Sequence, residues 1–120
     1  MKMYFHGYPC TVVFGRYVDS GNPSIRLVAD APNGECGLMN GEPIATATLN
    51  CAKLDLGLVA IKGYSENAGM EAALIAAGVI EPGMSLARDT FLGSIAIYQL
   101  SEASMVMLAQ SELNGREVAA

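Results

Sequence analysis

The hydrophobic pattern changes period once along the chain, and that change constrains the fold more than any other feature. Up to Ile61, short runs rich in β-branched and aromatic residues are punctuated by Gly, Pro and Asn. Such runs suit strands, whose successive side chains point to opposite faces. Met3 to Phe5 is a short apolar-aromatic stretch. Cys10 to Val18 (CTVVFGRYV) reads as a strand in which Gly15 marks a bulge or a close packing contact. Asp19 to Pro23 is a turn cluster. Ser24 to Asp30 (SIRLVAD) is the next strand, with Ile25, Leu27 and Ala29 on one face. After Leu38 and Met39, Asn40-Gly41 is a two-residue hairpin signal ahead of a strand from Glu42 to Asn50 (EPIATATLN). Leu56 to Ile61 (LGLVAI) is a further buried strand.

Asn67 to Ala77 (NAGMEAALIAA) then turns helical. Met70, Ala73, Leu74 and Ala77 fall at i, i+3, i+4 and i+7 and make one apolar face. Alanines fill the other faces, which predicts burial on more than one side. Ser65 or Asn67 supplies the N-terminal cap, and Gly78 the left-handed residue that closes the helix. Met84 to Ala87 and Ser94 to Leu100 read as late strands. Ser101 to Leu113 reads as a second helix, capped by Ser101 and ended by Asn114-Gly115, with a loose tail beyond. Val106, Ala109 and Leu113 form a narrow stripe on it, flanked by Met105 and Leu108. The expected fold class is α+β: a largely antiparallel sheet of about five to seven strands, packed by one central helix, plus a C-terminal helix. Residues 1–100 form the domain. Residues 101–120 form a helix and tail that pack on it or on a partner.

Composition removes several functions. The chain has 120 residues, 52% of them hydrophobic and 16% charged, so it can build a core without disulfides. Seven basic against twelve acidic residues leave a net charge of −5. Its Lys and Arg are scattered singly, which disfavours direct nucleic-acid binding and docking on an anionic membrane. The longest apolar stretch, Ala72 to Ile80, is far short of the ~18 residues of a membrane span. No secretory signal pattern is legible near Met3 to Pro9, so a cytoplasmic location is expected.

The three cysteines, Cys10, Cys36 and Cys51, form no CxxC pair and read as small buried hydrophobes. A Cys3His zinc site with His6 is arithmetically available, but structural zinc ligands usually come in close pairs. No metal or cofactor is expected. His6 is the sole histidine. Along one strand, Cys10 would sit ~13 Å from it, too far for a nucleophile–base bond. No phosphate-binding glycine loop or paired-carboxylate spacing appears.

Two stretches carry a resemblance. Gly41 to Thr46 (GEPIAT) and Tyr64 to Glu81 (YSENAGMEAALIAAGVIE) look like the signature of the DUF4313-type family, small proteins of bacterial conjugative elements, plasmids and phages. The resemblance spans roughly Tyr4 to Leu100 and is specific over residues 41–50 and 64–81. The helix after Leu100 departs from the shorter family pattern. The resemblance implies a mobile-element setting and a shared fold, and it carries over no catalytic residue.

The expected function is a non-enzymatic protein-binding module of a mobile element. It would dock on a bacterial host protein as an accessory or anti-defence factor, for instance an inhibitor of a CRISPR effector. Candidate contact residues are Tyr64, Glu66 and Asn67, with Met105 and Leu108 on the C-terminal helix. The bland alternative for Tyr64 to Asn67 is a helix cap. Two rivals are a small enzyme or small-molecule binder sited near Tyr64 to Asn67, and a structural homo-oligomer, such as a homodimer, whose C-terminal helices pair.

Overall fold

A computed structural model describes the backbone of residues 1–90 and 93–119, with side chains for residues 1–87 and 94–113. Among these, the elements run β1 (Lys2–Phe5), β2 (Tyr8–Arg16), β3 (Pro23–Ala29), β4 (Pro43–Thr46), β5 (Leu58–Ile61), α1 (Met70–Ala76), β6 (Leu86–Thr90), β7 (Gly93–Gln99) and α2 (Glu102–Ala119). The strands divide into a four-stranded sheet, β1-β2-β3-β4, and a three-stranded sheet, β5-β7-β6, with every pairing antiparallel. This is an α+β architecture.

Alternation explains the first sheet. Met3 and Phe5, Cys10, Val12 and Phe14, and Ile25 and Leu27 all point inward from their strands and are buried. Gly15 stays in register with Ser24, and a Cβ on it would lie 3.1 Å from Ser24 Oγ, so it marks a close contact and not a bulge. The hairpin expected at Asn40-Gly41 does not form. Leu38 and Met39 lie outside any strand, and β4 pairs with β3. Residues 31–40 instead make a loop closed by Asn40, whose Oδ1 accepts the Ala31 N–H at 3.0 Å.

The two sheets meet at Ala47. Its N–H donates to Ile25 C=O at 2.9 Å, continuing the first sheet, while its C=O accepts from Lys62 N–H at 2.8 Å, entering the second. Leu49 N–H follows by donating to Ala60 C=O at 2.9 Å. The expected strand over Glu42 to Asn50 is therefore broken, because one residue serves two sheets. The main core lies inside this corner. Met70 and Leu74 of α1, Val59, Ile61, Tyr98 and Leu100 of the second sheet and its extension, and Leu108 of α2 close it. The second sheet's other face buries Ala60 and Ile97 under Leu54. Asn22 pins that cover: its amide donates to Cys51 and Ala52 C=O, and its Oδ1 accepts Leu54 N–H at 2.8 Å.

α1 ends as expected. Gly78 (φ 73°) donates to Ile75 C=O and Val79 to Leu74 C=O, with Leu74 and Val79 both fully buried. It packs against β1 at the sheet's rim, so Ala72 and Ala76 stay exposed and burial is one-sided.

α2 is capped as expected by Ser101, whose Oγ accepts the Ser104 N–H at 3.1 Å. It does not end at Asn114-Gly115, and no loose tail begins there: the helix continues to Ala119. One glycine costs a helix about 1 kcal/mol relative to alanine, too little to stop it. Its rotation also differs from expectation. Ser104 and Leu108 are buried, while Val106 and Leu113 face outward. Leu108 packs into the core with Met105 and Met107 beside it, and polar bonds join the same face to the domain. Ser104 Oγ–H donates to Val79 C=O at 2.7 Å, Ser111 Oγ–H donates to Phe14 C=O at 3.1 Å, and Glu112 pairs with Arg16.

Tyr98 joins β7 to α1 by donating its hydroxyl to Glu71 Oε2 at 2.6 Å. That bond, with burial, pushes the phenol from 10 up to about 12. A pKa raised on folding gives stability that is complete below the unfolded value and is lost as pH climbs through the folded one. Denaturant unfolding should therefore show stability falling between about pH 10 and about pH 12. Tyr98→Phe should flatten that fall and cost about 1.5 kcal/mol at neutral pH. An unchanged alkaline slope in Tyr98→Phe would show that the bond does not carry it.

Candidate functional site

Where the chain turns the corner at Ala47, it leaves a groove of about 500 Å³. One wall is the β1–β2 turn with Phe5, His6 and Tyr8. The floor is Ile44 to Asn50, and the far wall is Lys62, Glu66 and Asn67. His6 (φ 51°) and Gly7 (φ 82°) form a two-residue turn with both φ positive, as a tight hairpin requires. The His6 ring stacks on Phe5, with centroids 3.9 Å apart, and its Nε2–H donates to Ala68 C=O at 2.7 Å. That bond carries the turn across to the segment before α1 and closes one end of the groove. It also engages Nε2 of the chain's sole histidine with a carbonyl.

The far wall is a short 3-10 turn, Ser65–Asn67, and not the start of α1. The capping expectation for these residues is corrected. Neither Ser65 nor Asn67 caps α1, which begins after Gly69 with no side-chain cap. Asn67 is buried, and its Nδ2–H donates to Thr46 C=O at 2.7 Å. It thus ties off β4 at the residue before the corner. Ser65 (φ 54°) holds a left-handed conformation that L residues other than glycine adopt uncommonly. Glu66 reaches back to Lys62 in an ion pair. Their mutual hydrogen bond is the main cause that raises the Lys62 ammonium and lowers the Glu66 carboxyl from their ordinary values. Lys62 Nζ also sits 5.7 Å from the Tyr64 ring centroid, and Tyr64 is half exposed.

The structure places Glu66 and Asn67 on one wall of the groove, with Tyr64 beside them in the chain but not lining it, and separates all three from Met105 and Leu108. Leu108 is 1% exposed and belongs to the core, and half-buried Met105 packs against the same cluster. Neither presents a free contact surface in this fold. His6, Tyr8, Ile44 and Lys62 were not among the candidates. The only sequence hint was that Gly41 to Thr46 and Tyr64 to Glu81 stood out together. Their adjacency through Thr46 and Asn67 depends on the corner.

The cysteines are dispersed. Cys10 is buried, and desolvation pushes its thiol up. Cys36 is exposed, against expectation, because its turn projects from the sheet, and Cys51 is half-buried. Among the described residues no three His, Cys, Asp or Glu side chains come together as metal ligands. A second hollow of about 410 Å³ beside Asp19 and Cys51 has its polar groups engaged with one another. Asn50 Nδ2–H donates to both Asp19 oxygens at 3.0 and 3.2 Å, which holds that carboxyl below its ordinary value, and Ser20 Oγ–H donates to Asn50 Oδ1.

Compared with protein-family models, curated proteins and solved structures, the chain matches none of them.

If Asn67 is a clamp, Asn67→Ala should lower unfolding free energy by about 1–3 kcal/mol, because Thr46 C=O loses its partner. Glu66→Gln should leave stability within about 0.5 kcal/mol, as for other exposed positions. Urea titration of the two variants measures this. Equal, small losses in both would return the segment to a surface role.

Proposed function

We propose that this chain is a non-enzymatic protein-binding module that receives a segment of a partner protein in the groove between the β1–β2 turn and residues 62–67. The observation that carries the reading is the strain at its rims. Two of the three non-glycine residues with positive φ among the described residues, His6 and Ser65, stand beside this groove. Such backbone costs of order 1–3 kcal/mol each, and conformations of this kind concentrate at functional sites. Exposed aromatic rings at Tyr8 and Tyr64 and the Lys62–Glu66 pair supply apolar area and orienting charge at the same place.

The non-enzymatic part rests on chemistry. The one histidine is bonded to a backbone carbonyl, and no thiol or hydroxyl is hydrogen-bonded to it among the described residues. The partner we propose is a bacterial host protein. The setting is a mobile element, where the module would serve as an accessory or anti-defence factor, for instance against a CRISPR effector. This setting leans on the resemblance of Gly41 to Thr46 and Tyr64 to Glu81 to the DUF4313-type family. Those two stretches supply part of the groove's lining, Ile44 to Thr46 from one and Glu66 and Asn67 from the other. The acidic balance of −5 fits a module that works by protein contact and not on phosphate backbones.

The test is affinity purification of the tagged full chain from its native cell, with Tyr64→Ala/Glu66→Lys as the groove variant and Val18→Ser as an exposed control. The reading expects one stoichiometric partner with wild type and control, recovered at least ~10-fold less with the groove variant at unchanged melting temperature. Equal recovery by the groove variant, or no partner from any of the three, contradicts it.

A further inference from the structure

We draw no further inference here: the strongest candidate, the outer edge of β6 (Leu86–Thr90), which among the described residues pairs with β7 alone, is an unpartnered strand edge, and nothing in the structure shows what covers it.

Discussion

The fold depends on one residue being shared by two sheets. Ala47 gives its N–H to β3 and its C=O to the second sheet, so the four-stranded and three-stranded sheets become walls of one core. Buried peptide groups must find partners, and a chain leaving one sheet for another risks stranding some of them. The corner avoids that in three ways. Ala47 is bonded on both sides. Thr48 is buried, and its Oγ1 accepts the Ile25 N–H. Thr46 C=O is taken by the Asn67 amide.

The groove is a by-product of the same arrangement. Because β4 turns away at Ala47, the β1–β2 turn and the segment before α1 are left facing each other across the gap. Two bonds hold the distance: His6 to Ala68 on one side and Asn67 to Thr46 on the other. Both anchor residues come from tight turns with little freedom, so the groove is largely formed before anything enters it. A preformed site spares the ordering cost that a flexible loop incurs on binding. Tyr64 and Glu66 hold no such anchor: Glu66 pairs with Lys62, and Tyr64 is half exposed.

Much of the fold was legible because burial of alternating residues leaves a strong local trace. β2, β3 and β7 and the closing glycine of α1 could be read from spacing, since each reports only its own neighbours. What escaped was set by long-range bonds. The break at Ala47 needs Ile25 and Lys62 in place, and nothing in EPIATATLN announces it. The rotation of α2 puts Leu108, Met105 and Met107 on the core and leaves Val106 and Leu113 outside, a choice between two apolar stripes that Ser104, Ser111 and Glu112 support through partners on Val79, Phe14 and Arg16. The candidate site was half legible: Tyr64, Glu66 and Asn67 were named as contact residues, with a helix cap as the alternative. Asn67 proved to be a buried clamp, though, and His6 and Tyr8 belong to the site only through a hairpin sixty residues away in sequence. Met105 and Leu108 drew attention for their apolarity, which the core absorbed.

The corner is as durable as the core it encloses. Native-state hydrogen exchange measures this at the Ala47, Leu49 and Lys62 amides, which carry the bonds between the two sheets. Exchange only through global unfolding, at the same free energy as Leu27 on β3, is the predicted result. Exchange of these three amides through a low-energy local opening, while β3 stays protected, would mean the sheets are hinged at Ala47 and the groove is not preformed.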